Sequence, residues 1–149
     1  MRKLFRHPLI AAILTAILIF LVLSLNPASK DSFYVERVID GDTILVSRDG
    51  EYATVRLIGV DAPESVHPDA DLNTDEGQSA YEYTRSRLEG MQVELETDIE
   101  KKDKDGRLLA YVWIDGELFN AQLVKDGQAK VEIFMPNTKY SADILNAAH

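Results

Sequence analysis

Two apolar runs, Ile44 to Val46 and Val55 to Val60, stand on either side of Asp49-Gly50, and that spacing leaves few ways to bury both. Asp-Gly suits a two-residue hairpin loop, in which both central positions need positive φ. The spacing therefore predicts an antiparallel hairpin. Asp42 would stand at the entrance to its first strand and Asp61 just past the exit of its second, and antiparallel pairing brings such ends together. Phe33 to Ile39 reads as a strand leading in, with Asp40-Gly41 as the turn between them, so Asp40 is read as structural.

The hairpin gathers charge where a fold normally avoids it. Asp42, Asp61 and Glu64 lie at or near strand ends, and Arg56 lies inside an apolar strand. Like charges about 4 Å apart repel by roughly 4 kcal/mol at an effective dielectric of 20, so such a cluster calls for a cation. Oxygen ligands favour a hard one, calcium or magnesium. The chain has no cysteine, and His7, His67 and His149 show no ligand spacing, which argues against zinc. Arg56 needs an anionic partner, either one of these carboxylates or a bound anion.

With 149 residues, 46% of them hydrophobic, the chain is long enough for one domain and short for two. Its beginning differs in kind. Arg2, Lys3 and Arg6 precede an uncharged run from Leu9 to Leu25, about 25 Å long as a helix, at the short limit for a bilayer. Residues 1–29 are expected to form a hydrophobic helix, either a signal peptide or an N-terminal membrane anchor. Asn26-Pro27-Ala28-Ser29 is a poor cleavage site, which favours the anchor. The positive-inside rule then places residues 30–149 outside the cytoplasm. That part holds all 25 acidic residues and 13 of the 16 Lys and Arg, a net charge of −12. A nucleic-acid binder usually carries a basic footprint, and this one does not.

Further along, a helix is expected to start between Asn73 and Gly77, with Asn73 and Glu76 as a capping box, and to end at Gly90. Ala80, Tyr83, Thr84 and Leu88 share its inward face. Met91 to Thr97 and Leu108 to Ile114 read as strands. A charged loop, Asp98 to Arg107, separates them. Glu117 to Lys125 is expected as a helix, Ala129 to Phe134 as a strand segment, and Thr138 to His149 as a helix facing inward through Tyr140, Ile144, Leu145 and Ala148.

The stretch from Asp40 to Glu64, together with Asp103-Lys104-Asp105-Gly106-Arg107, resembles the staphylococcal nuclease (thermonuclease) family over about Phe33 to Leu145. The resemblance implies an α+β fold, mainly β: a five-stranded Greek-key barrel of the OB type with about three helices. It implies a calcium-dependent endonuclease that hydrolyses DNA and RNA and leaves 3′-phosphorylated ends. By the match, Asp42, Asp61 and the Ala62 carbonyl bind calcium, Glu64 orients or deprotonates the attacking water, and Arg56 and Arg107 bind the phosphate. Asn120 matches a hydrogen-bonded structural residue. The chain departs from the pattern at Asp105 and at Glu132-Ile133-Phe134-Met135, where the staphylococcal enzyme has tyrosines around its nucleoside. Family members usually continue the last helix further, so the chain is expected to be either a fragment or a form with a naturally shortened C-terminal helix. A monomer is expected. Two other readings are a catalytically silent OB-type nucleic-acid-binding module, which gives no reason for five matched active-site positions, and a membrane-tethered interaction domain, which the acidic surface permits.

Overall fold

The computed structural model describes residues 31–65 and 73–149, so the expected N-terminal helix and its membrane role lie outside the described residues. Three antiparallel strands open the fold: β1 (Asp31–Asp40), β2 (Thr43–Arg48) and β3 (Glu51–Leu57). The hairpin forms as expected, with Asp49 at φ 53° and Gly50 at φ 84°. The preceding turn is displaced by one residue from expectation. Asp40 pairs with Thr43, so the loop between β1 and β2 is Gly41-Asp42 and Asp42 sits in the turn itself.

The run Val55 to Val60 is not one strand. It breaks at Ile58-Gly59, where Gly59 takes φ 81°, and resumes as β4 (Val60–Asp61). That jog separates Asp61 from the end of β3 and lets β4 pair with β8 (Lys130–Val131) instead. Helix α1 (Asp75–Leu88) follows, then β5 (Gln92–Glu96), β6 (Leu108–Ile114), β7 (Glu117–Leu118), α2 (Phe119–Lys125), β8 and α3 (Ser141–Asn146).

The sheet runs β3-β2-β1-β5-β6-β7, and a parallel pairing of β3 with β6 closes it on itself. Five strands make the closed barrel; β7 is a short hairpin return. Closure removes the sheet edges along the paired segments. The interior is filled by alternate residues of the strands, among them Val35, Ile44, Val46, Val55, Val93 and Val112, each at most 2% exposed. These β-branched residues fit a pleated, half-buried surface.

Several elements are shorter than their sequence patterns suggest. Asp115 (φ 51°) and Gly116 (φ 79°) reverse the chain after β6, so Glu117 and Leu118 pair back on Ile114 and Trp113 before α2 can begin. The expected strand over 129–134 keeps only two paired residues, because its partner β4 has only two. In α3 only Ile144 is buried; Leu145 is 48% exposed and Ala148 faces solvent, so they are not core residues. Asn120 is fully buried and bridges the barrel: its Oδ1 accepts from Val112 N and its Nδ2 donates to Ile58 O.

Candidate active site

One cavity of about 200 Å³ is lined by Asp42, Arg56, Asp61, Ala62, Glu64 and Arg107, the six positions singled out from sequence. Asp40 and Thr43 also line it. Register explains the first half of this gathering. Thr43 pairs with Arg56, and Leu57 N donates to Asp42 O at 3.0 Å, so the Gly41-Asp42 turn lies against the end of β3. The jog at Gly59 then turns β4 back across that end.

Asp42 is 5% exposed and heavily committed. Its Oδ1 accepts from the Thr43 hydroxyl at 2.9 Å and its Oδ2 from Ala62 N at 2.8 Å, while Arg56 Nη2 stands 3.2 Å from Oδ2. Burial pushes the carboxyl above its ordinary range, against the pull of the Arg56 charge and the two hydrogen bonds. Arg56 Nη2 also reaches Asp61 Oδ1 at 3.2 Å, and Nη1 donates to Leu57 O and Val60 O. One guanidinium thus ties both aspartates to the two ends of the jog. The acidic partner expected for a charge in an apolar strand is present three times, with Glu132 as the most distant.

Among the described residues, no three His, Cys, Asp or Glu side chains are arranged to hold a metal. What does come together is two aspartates beside the Ala62 peptide, bridged by one cationic nitrogen. The donors are all hard oxygens, and one is a desolvated carboxylate that gains from a nearby positive charge. That chemistry fits calcium and disfavours a soft metal.

Glu64 is placed by its backbone. Its carbonyl accepts from Thr74 N at 3.1 Å, and α1 approaches so closely that a Cβ on Gly77 would lie 2.0 Å from Glu64 O. Thr74, whose Oγ1 accepts from Gly77 N at 2.9 Å, is the N-cap in place of the expected Asn73 and Glu76 box. The same helix holds the aspartate turn: Thr84 Oγ1 donates to Gly41 O at 2.7 Å, and Ala80 packs where Gly41 has no side chain. Asp40, buried in the turn, accepts from Ser65 Oγ at 2.5 Å and from Gly41 N. Burial raises its carboxyl, those bonds lower it, and the adjoining Glu64 carboxylate raises it again. Asp40 links the turn to the Glu64 loop, a structural part consistent with its sequence reading.

Arg107 reaches the cavity from the loop before β6. Asp103 Oδ1 accepts from the backbone N–H groups of Asp105 and Arg107, and its Oδ2 accepts from Arg107 Nε at 2.7 Å. Burial raises the Asp103 carboxyl, but the Arg107 bonds and charge outweigh it and hold the group below its usual range. A second cavity of about 420 Å³ opens beside both arginines, with Leu109, Phe134 and Met135 among its walls and Glu132 Oε2 3.9 Å from Arg56 Nη2.

The sequence places Thr84 on the inward face of α1 and Asp103 in the second motif, but it assigns a supporting role to neither, nor to the N-cap Thr74, to Gly77 or to Glu132.

A sequence model of the family described as Staphylococcal nuclease homologue matches residues 54–149. The chain is 43% identical to the thermonuclease of Staphylococcus intermedius over 148 residues, covering 94% of this chain and 88% of that protein. It belongs to the staphylococcal nuclease family. Two further family relatives agree: the thermonuclease of Staphylococcus hyicus, 43% identical over 83% of this chain and 72% of its own, and the endonuclease YncB of Bacillus subtilis, 40% identical over 71% and 51%. The family model begins at Thr54, after Asp42, but the alignment over 94% of the chain takes in most of the sequence ahead of it. The closed five-stranded barrel with three described helices is the architecture that the family resemblance implies.

Proposed function

We propose that this chain is a calcium-dependent endonuclease that hydrolyses the phosphodiester bonds of DNA and RNA and leaves 3′-phosphorylated ends. The observation that carries this reading is the single cavity that collects Asp42, Arg56, Asp61, Ala62, Glu64 and Arg107 from four separate stretches of chain. Membership of the staphylococcal nuclease family supports it.

In this reading Asp42 and Asp61, with the Ala62 carbonyl, would hold calcium. Bound there, the cation supplies charge neutralisation at the scissile phosphate. Glu64 accepts a proton from the attacking water as its oxygen bonds to phosphorus. Arg56 and Arg107 donate to the non-bridging oxygens, whose charge grows in the transition state. The bond from phosphorus to the 5′ oxygen breaks, that oxygen takes a proton from solvent water, and phosphate stays on the 3′ side. Asp103 keeps the Arg107 side chain and its turn in register for this task.

Residues 1–29 act as a signal peptide or N-terminal membrane anchor and residues 30–149 as the nuclease domain, working as a monomer outside the cytoplasm. The basic leader and apolar run support that placement. Among the described residues no helix is long and apolar enough to cross a membrane. An assay on single-stranded DNA and RNA, with calcium and with a chelator, tests the function. Cleavage that needs calcium and yields 3′-phosphates is expected; no cleavage under either condition would leave a binding module.

A further inference from the structure

Tyr52, Thr54 and Arg56 lie two residues apart on β3, and side chains at that spacing share one face of a strand. Ala53, Val55 and Leu57 take the other face, of which Val55 and Leu57 are closed into the barrel core. Tyr52 is 66% exposed. From Arg56 to Tyr52 the strand advances four residues, roughly 13 Å at about 3.3 Å each. β6 pairs with β3 only from Val55 onward, so the Tyr52 end extends past the parallel closure. There it borders the loop that carries Lys102 and Arg107, leaving a groove of about 290 Å³ lined by Tyr52, Thr54, Lys102, Asp105 and Arg107 among others. Arg107 also lines the catalytic cavity. The groove and the proposed active site therefore share Arg107 as a common wall.

We propose that this groove is a second nucleotide subsite, in which the base of a nucleotide further along the strand from the scissile phosphate stacks on Tyr52 and its phosphate meets Lys102. The inference rests on the nuclease reading of the site. An exposed aromatic ring beside a cation is how single-stranded nucleic acid is held without sequence preference. The −12 charge of residues 30–149 makes such a local contact matter more, because long-range attraction is lacking. Asp105 on the same wall disfavours a second phosphate there, which limits the subsite to one nucleotide.

The test compares two substrates on the full chain: a single-stranded decanucleotide and a minimal chromogenic diester carrying one nucleoside. Tyr52→Ala and Lys102→Gln should each raise KM for the decanucleotide, the former about five- to tenfold, toward the low end for loss of one base stack. Neither should change kcat, or any parameter on the minimal diester. Tyr52→Phe, which keeps the ring, should restore decanucleotide KM. Unchanged decanucleotide KM in Tyr52→Ala, or equal losses on both substrates, would overturn the subsite while leaving the nuclease reading intact. Wild-type protein that cleaves neither substrate would remove the nuclease reading, and the subsite with it.

Discussion

Gly77 in α1 and the carbonyl of Glu64 occupy the same space that a side chain at 77 would need: an added Cβ would lie 2.0 Å from Glu64 O and 2.5 Å from Glu64 C. The glycine that looks like a weak helix start is what lets the helix seat the Glu64 loop. Its φ is not in the left-handed region, so proximity, and not backbone freedom, explains it.

Gly77→Ala should therefore lower both stability and catalysis. Alanine favours the helix by about 1 kcal/mol, but the backbone it meets must move, so the melting temperature should fall. Glu64 should shift, and a misplacement of about 1 Å can cost around 10² in rate. Steady-state kinetics should show kcat down more than tenfold with KM nearly unchanged. Full kcat in a folded variant would mean that the loop yields without moving Glu64.

Calcium should stabilise the folded chain, because Asp42 is held desolvated beside Asp61 by one shared guanidinium. A ligand at 100 times its Kd adds about 2.7 kcal/mol. Thermal melts should rise with calcium in wild type and much less in Asp61→Asn, which loses one charged oxygen donor while leaving the buried Asp42 contacts in place. An equal rise in both would place the cation elsewhere.

Glu64→Gln keeps size and backbone seat but cannot take a proton. The expected loss in kcat is about 10² to 10⁴, with the calcium-dependent melt unchanged. A loss under threefold would make Glu64 a bystander.

Arg107→Lys should be poorly tolerated, since Nε is held by Asp103 and Nη2 stands 3.7 Å from Asp105 Oδ2, and lysine cannot keep these contacts while offering a phosphate a planar, two-pronged donor. A tenfold or greater fall in kcat is expected; wild-type turnover would reduce Arg107 to a long-range charge.

Acid stability should depend on Asp98, which accepts from Lys139 N, Tyr111 Oη and Ile99 N. Burial raises its carboxyl, yet these bonds and the Lys139 charge hold it below its ordinary range, and burial with Asp98 pushes Tyr111 up to about 12. A carboxyl depressed in the folded state contributes stability above its unfolded pKa of about 3.9, and that contribution is lost as pH falls through the folded value. The melting-temperature gap between wild type and Asp98→Asn should be constant near neutrality and close below about pH 3.9. A gap unchanged at pH 3 would show that the carboxylate charge is irrelevant there.

What the amino-acid sequence determined by itself is local. Asp49-Gly50 between two apolar runs sets the hairpin, because positive φ and alternation are written residue by residue. The carboxylates and Arg56 are legible as a site because unlike charges so close to apolar strands need partners. The family motif adds Glu64 and Arg107, which no local pattern singles out. Only the tertiary structure decided the rest. The break at Gly59, which moves Asp61 onto β4, depends on a partner strand 70 residues later, Val131 facing Val60. Closure of the barrel by parallel β3 and β6 joins Arg56 to Arg107 across a long stretch of chain. Thr74, Gly77 and Thr84 acquire their meaning only when α1 lies against the Glu64 and Gly41 backbones, since a missing side chain and a hydroxyl carry no signal until something occupies the space beside them.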